Sequence, residues 1–185
     1  MHRIARFIAL WLGMWGLLGC QHTYKEVPAT NLPRPRLRSD AIVYVPIPPD
    51  GLFKKHVAAN SGKLTAVAVR DGFAKHVKRA YVGRMIESMA TSLETARQHR
   101  CTYVAYPSIV RWEDRATEFS GVKDKMEIKI EVVEAATGEI LHTTVLQGKS
   151  RWLTDGGDRP QDLLEKPIED YVASLFQSAP RSPSK

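Results

Sequence analysis

The sequence lacks an apolar run long enough to cross a bilayer. Its longest such run, residues 7–18, has twelve residues, whereas a membrane-spanning helix needs about twenty. His2, Arg3 and Arg6 precede the run, and a basic head before a short apolar stretch is typical of an export signal. We therefore expect the chain to be exported and its first residues to be removed.

The apolar run is also not followed by the A-x-A-like site of an ordinary secretory signal. Instead, the letters LLGC at 17–20 resemble the lipobox of bacterial lipoproteins. The resemblance implies a signal peptide over residues 1–19 and fatty acyl chains, such as palmitate, on the thiol of Cys20. Gln21 in place of an aspartate implies an outer-membrane location facing the periplasm. The alternative is an ordinary signal with an incidental cysteine.

Cysteine is scarce, and Cys101 is the only one besides Cys20. If Cys20 is acylated, Cys101 has no partner for an internal disulfide. We expect it to be a small buried residue at the start of a strand. An intermolecular disulfide is the alternative.

Acidic residues are outnumbered by basic ones. Removal of residues 1–19 takes away two of the 27 lysines and arginines. The remaining 25 basic residues exceed the 20 acidic ones by five, so the formal charge is +5. Because an exported protein seldom meets nucleic acid, we expect no nucleic-acid partner. Anionic lipid headgroups, peptidoglycan carboxylates or an acidic protein surface are the partners that this charge favours.

Residues 20–40 have no apolar periodicity and interleave Pro28, Pro33 and Pro35 with arginines. This composition predicts a lipidated cysteine followed by an extended tether. Residues 178–185 have the composition of a disordered tail. Between them, residues 41–177 are long enough for one domain with one core.

Apolar periodicity and turn residues divide this domain into five strands and three helices. The predicted strands are Ala41–Val45, Lys78–Val82, Cys101–Trp112, Met126–Val132 and Ile140–Leu153, and the predicted helices are 60–75, Arg84–Arg100 and a last one whose main segment begins at Pro167. The letters LTAVAV in the first helix also fit a strand. The order β-α-β-α-β-β-β-α predicts a single α/β (α+β) domain with a mixed five-stranded sheet of order 2-1-3-4-5, since crossovers between parallel strands are right-handed.

This succession, with its ATGEIL turn before the last strand, resembles the amino-terminal domain of TolB and related periplasmic lipoprotein domains. Those domains include the curli secretion lipoprotein and the lipoprotein activators of penicillin-binding proteins. The letters LLGCQ, RWEDR and SRWLTDGGDRPQDLLEKPIEDYV are similar to a family of uncharacterised Gram-negative outer-membrane lipoproteins. The first resemblance is topological and transfers no site residue, and the second implies no activity.

The residue types that carry catalysis or bind metals are present without the required spacing. The histidines after the signal, at positions 22, 56, 76, 99 and 142, form no HxxxH or HExxH pattern, so no metal or cofactor is expected. Asp155, Asp158 and Asp162 could offer oxygens to calcium, but a glycine turn followed by a helix start explains the same letters. Glu113 and Asp114 are adjacent, so on a strand they point to opposite faces. We therefore expect no enzyme.

Two arginine–tryptophan pairs form the candidate partner surface. Arg111 and Trp112 end the third predicted strand, and Arg151 and Trp152 lie near the end of the fifth. The two strands run parallel, so both pairs are expected at one end of the sheet. Tryptophan and arginine are enriched in binding hot spots. The alternative is that the tryptophans close the core.

Taken together, these features predict a non-catalytic, outer-membrane-anchored periplasmic lipoprotein. It is expected to act as a scaffold or regulator through contacts with an envelope protein, while its anchor lies in the inner leaflet of the outer membrane. A module that binds an envelope ligand such as peptidoglycan is the alternative. A hydrolase is the least favoured reading.

Overall fold

A six-stranded mixed sheet forms the centre of the computed structural model, which describes residues 23–29, 33–114, 124–150 and 159–177. The strands are β1 (Thr23–Pro28), β2 (Ile42–Ile47), β3 (Leu52–Phe53), β4 (His56–Val57), β5 (Arg79–Ile86), β6 (Tyr103–Glu113), β7 (Lys125–Glu134) and β8 (Ile140–Lys149). The helices are α1 (Ser61–Ala74), α2 (Met89–Gln98) and α3 (Glu165–Ser174), with a short 3-10 helix at Pro160–Leu163. The domain is therefore a mixed α+β domain, as predicted.

The sheet order is β1-β8-β7-β6-β2-β5, and β3 and β4 form a separate hairpin. β2 is parallel to both β5 and β6, whereas β6, β7, β8 and β1 pair antiparallel. The run Val43–Val45 is buried on both faces of the sheet, which is typical of a strand between parallel neighbours. β7 alternates buried and half-buried positions.

The prediction of a five-stranded sheet is wrong, because β1 is a sixth strand. Thr23 lies opposite Lys149 and Pro28 opposite Thr144, so β1 adds to the free edge of β8. Pro28 is tolerated because it is the last residue of an edge strand. The five predicted strands correspond to β2, β5, β6, β7 and β8. Read from the β5 edge, the sheet runs β5-β2-β6-β7-β8, and β1 is added beside β8.

Much of the predicted tether is built into the domain. Leu37 is only 5% exposed and belongs to the main core. Its backbone N–H donates to the carbonyl oxygen of Leu175, directly after α3, at 2.9 Å. Glu26 on β1 accepts hydrogen bonds from Arg34 and from the Thr144 hydroxyl. Residues 23–29 and 33–40 therefore pack against the domain and do not form an extended tether.

The predicted second helix begins too early. β5 continues to Ile86, and α2 starts only after Ser88, whose side-chain oxygen accepts the N–H of Thr91 at 3.2 Å. This is the N-cap arrangement that satisfies a free N–H at a helix start. The segment LTAVAV lies in α1 and is not a strand.

The last helical segment breaks as Pro167 requires. A 3-10 helix begins at Pro160, and α3 begins at Glu165. Pro167 lies in the first turn of α3, where the missing N–H removes no helical hydrogen bond. Ile168, Tyr171 and Val172 on α3 are buried.

The helices cover the two faces of the sheet unequally. α1 and α3 pack on the larger core, which includes Phe73 and Ile168. α2 packs on a smaller cluster around Ala96 and Val104. Cys101 is a free, buried cysteine in that cluster, as predicted.

Leu37→Ala tests whether the segment before β2 belongs to the folded domain. Removing this buried side chain should lower the free energy of unfolding by about 3 kcal/mol. Leu52→Ala is the matched control, because Leu52 is 67% exposed and its loss should change that energy by less than about 0.5 kcal/mol. Urea unfolding measures both values, and equal values would show that residues 33–40 are a separate tether.

Candidate functional site

Trp112 closes the core and does not lie on the surface. It is 2% exposed and lies opposite Met126 on β7. A Cβ added to Gly51 would come within 2.6 Å of the Trp112 Cβ, so the chain entering β3 covers the tryptophan closely. Arg111 is exposed, with its guanidinium 3.8 Å from carboxylate oxygens of Glu113 and Glu127.

The remaining residues of the predicted sites fall mostly outside the described residues. This holds for Cys20, Arg151, Trp152, Asp155 and Asp158. That both arginine–tryptophan pairs share one end of the sheet stays a prediction, although β6 and β8 do run in the same direction.

Asp162 lies within the described part and has a structural role. Its carboxylate accepts the backbone N–H of Arg159 at 2.9 Å. This hydrogen bond satisfies a free N–H where the 3-10 helix begins. The calcium reading of the loop before it stays open, since the other two aspartates are not described.

No group of three or more histidine, cysteine, aspartate or glutamate side chains is placed to hold a metal ion within the described ranges. His142 is buried, with Nδ1 3.1 Å from the Tyr171 hydroxyl. Burial lowers the pKa of His142, which favours its neutral form. His76 stacks on Phe176 with ring centroids 5.1 Å apart. Both histidines therefore have packing roles.

Exposed apolar side chains gather at the end of the sheet where β2, β5 and β6 finish. We call this the carboxyl-end surface, and it consists of Leu52, Val57, Leu64, Met85 and Ile86. These are five of the eight large apolar side chains that the described residues leave exposed. Ile47 pairs with Ile86 at the end of β5, and Gly51 lies against Trp112 at the end of β6, which places the β3–β4 hairpin at the same end.

The β3–β4 hairpin is held firmly at its base. The Asp50 carboxylate accepts the N–H groups of Asn60 and Gly62, and the Ser61 hydroxyl accepts the N–H of Gly51. Leu52 and Val57 pair across the hairpin, yet they are 67% and 61% exposed. The fold therefore presents this apolar pair to its surroundings.

A cavity of about 560 Å³ opens between β5 and α2, a size within the usual range of ligand sites. The Tyr44 hydroxyl donates to Glu87 Oε1 at 2.8 Å. Burial, followed by the hydrogen bond to Glu87, raises the pKa of Tyr44 well above its ordinary value. Glu87 Oε2 is buried without a hydrogen-bond partner among the described residues. The cavity is therefore lined by a protonated phenol and by a glutamate that has one buried carboxylate oxygen without a partner among the described residues.

β5 forms a free edge of the described sheet, since it pairs with β2 on one side only. Tyr81 is exposed on it, and the Arg79 guanidinium donates to the Tyr81 hydroxyl at 2.8 Å. Edge strands carry unpaired N–H and C=O groups that can accept another strand. The same strand forms one wall of the Tyr44–Glu87 cavity.

Sequence reasoning missed these features because each depends on distant residues. Tyr44 is part of an apolar run, and Glu87 lies in a segment predicted as helix. Only the Ser88 capping signal could have indicated that Glu87 precedes α2.

A family model described as a domain of unknown function, DUF4823, matches residues 35–175. The chain belongs to this family. Comparison with curated proteins found no match. The DUF4823 region includes Leu37 and every strand of the sheet except β1.

Solved structures show the same fold. The PelC dodecamer from Paraburkholderia phytofirmans matches with a TM-score of 0.59 at 12% identity, over 86% of this chain and 100% of the PelC chain. A PelC variant dodecamer from that organism matches with a TM-score of 0.58 at 11% identity, over 84% and 96% of the two chains.

A weaker match is the lipoprotein GNA1162 from Neisseria meningitidis. Its TM-score is 0.43 at 11% identity, over 75% of this chain and 98% of that one.

None of the helices in the described part of this DUF4823 protein has both the length and the apolar content that a membrane crossing requires.

Tyr44→Phe tests the Tyr44–Glu87 pair. The change leaves the Glu87 carboxylate without its donor, so the free energy of unfolding should fall by about 1–3 kcal/mol. Tyr81→Phe is the matched control on the exposed edge and should change it by less than about 0.5 kcal/mol. In a Glu87→Gln background, Tyr44→Phe should lower the free energy of unfolding by less than it does in the wild-type chain. An equal decrease in the two backgrounds would show that the two side chains are not coupled.

Proposed function

We propose that this DUF4823 protein is a lipoprotein anchored to the outer membrane through acyl chains on Cys20. It faces the periplasm and acts as a scaffold or regulator through contacts with proteins of the envelope. The LLGCQ segment supports the anchor, because several acyl chains on one residue hold a protein to a membrane far more firmly than a single chain does.

The observation that carries the protein-contact role is the free edge at β5. On its outer side this strand pairs with no other strand of the described residues, and it carries the exposed Tyr81 ring. Tyrosine is enriched in hot spots of protein interfaces. A partner strand that adds to β5 would also reach the neighbouring cavity with the free Glu87 oxygen.

PelC supports the same role. PelC has this fold and is a dodecamer, so the architecture is compatible with extensive protein–protein contacts. A second copy of the chain is therefore one partner to consider at β5.

The titratable groups near the cavity favour a non-catalytic role. Burial raises the pKa of Tyr44 and that of the Cys101 thiol. Both groups therefore stay protonated near neutral pH, and neither is activated as a nucleophile.

Cys20→Ala tests the anchor. The variant should disappear from the outer-membrane fraction of a density gradient, because it has no thiol to acylate. Cys101→Ala is the matched control and should stay in that fraction. Mass spectrometry of the natively produced protein should show acyl chains on residue 20, and a free thiol there would contradict the proposal.

Photo-crosslinking in intact cells tests the contact surface. A benzoylphenylalanine at position 81 should give protein adducts, whereas one at position 140 should not, because Ile140 is exposed on β8, which three strands separate from β5. Mass spectrometry of the adducts identifies the partner, including a second copy of the chain. The absence of adducts at position 81, with salt-sensitive co-sedimentation on purified sacculi, would favour the peptidoglycan-binding alternative.

A further inference from the structure

We propose that the carboxyl-end surface lies directly on the anionic phospholipid leaflet that holds the lipid anchor. The inference rests on the acylation of Cys20 put forward above. It adds the face of the domain that contacts the membrane and the chemistry of that contact.

The first argument is the distance between the anchor and the sheet. Three residue steps lead from Cys20 to Thr23, and they can span at most roughly 11 Å. Thr23 lies opposite Lys149, the last residue of β8, and Lys149 lies opposite Lys125 beside the end of β6. The chain therefore enters the sheet at the end that carries the carboxyl-end surface.

The direction of β1 decides which end of the sheet lies near the leaflet. A strand of ten residues is about 33 Å long. If β1 ran the other way, the first residue of the domain would meet the leaflet at the end with Ile140. The observed direction turns the exposed Leu52, Val57, Met85 and Ile86 toward the anchor instead.

The second argument is the composition of the β3–β4 hairpin. Its sequence from Gly51 to Asn60, GLFKKHVAAN, contains two lysines and no acidic residue. Lys54 and Lys55 are exposed beside the apolar pair Leu52 and Val57. Apolar side chains next to lysines are the combination that enters the headgroup region of an anionic membrane, where the lysines meet lipid phosphates.

The third argument is that hydrogen bonds hold the hairpin in one orientation. Asp50 and Ser61 fix its base through three hydrogen bonds to the backbone, so the exposed pair keeps one orientation. The Lys54 ammonium lies 5.4 Å from the centre of the Phe53 ring, which keeps charge and apolar surface together. A membrane contact at this end leaves the β5 edge free to accept a protein from the side.

Depth measurements on the intact lipidated protein test the proposal. The protein, confirmed by mass spectrometry to carry acyl chains, is reconstituted into vesicles of phosphatidylethanolamine and phosphatidylglycerol at a ratio of about 3:1. An environment-sensitive fluorophore is attached to Val57→Cys or to Ile140→Cys in a Cys101→Ala background. Both positions carry exposed apolar side chains, so they form a matched pair at opposite ends of the sheet.

The fluorophore at position 57 should shift to the blue and be quenched by spin-labelled lipid, while that at position 140 should remain water-like. Lys54→Glu with Lys55→Glu should weaken the quenching at position 57 several-fold. Lys78→Glu with Arg79→Glu, two basic residues at the other end of β5, should leave it unchanged. Unchanged unfolding midpoints show that the variants are folded.

Equal spectra at the two positions would overturn the proposal. So would shielding of position 57 only in native envelopes and not in pure phospholipid vesicles, which would assign the surface to a protein. Equal quenching in vesicles of neutral phosphatidylcholine would overturn the role of the anionic headgroups.

The mass measurement separates the two proposals. A protein without acyl chains overturns the anchor, and the orientation with it. A lipidated protein whose position 57 stays in water overturns the orientation alone.

Discussion

The pairing of β1 with β8 determines how the chain enters the domain. Six residue pairs, from Thr23 with Lys149 to Pro28 with Thr144, fix β1 on the sheet edge. The chain then returns past the end of α3, where Leu37 enters the core and bonds to Leu175. The first and last parts of the domain are therefore held together. The direction of β1 also decides which end of the sheet lies near Cys20.

Local patterns were enough to predict the centre of the fold. The continuous run around Val43 gave a buried strand, and the alternation of Met126, Ile128 and Ile130 gave a strand with one polar face. Short-range cues also predicted that the last helical segment is interrupted, since proline restricts the backbone wherever it lies, although α3 begins at Glu165, two residues before the predicted start at Pro167. These elements need little information from the rest of the chain.

Elements that depend on distant partners were missed or misplaced. The prolines and arginines of residues 20–40 are typical of a tether, so β1 was not predicted. Its pairing with the edge of β8 stabilises this strand. The residues Arg84, Met85 and Ile86 fit a helical stripe as well as a strand, and pairing with β2 decides for the strand. In the candidate site, Trp112 is buried because the chain near Gly51 covers it. Exposure of Leu52 and Val57 is likewise a property of the folded hairpin.

The geometry of β1 has a mechanical consequence. A pull on the chain ahead of Thr23, in line with the strand, loads the β1–β8 ladder in shear. The hydrogen bonds along this ladder of six residue pairs then share the force, whereas a perpendicular pull would break them one after another. The domain would therefore resist extraction of the edge strand that first receives such a force.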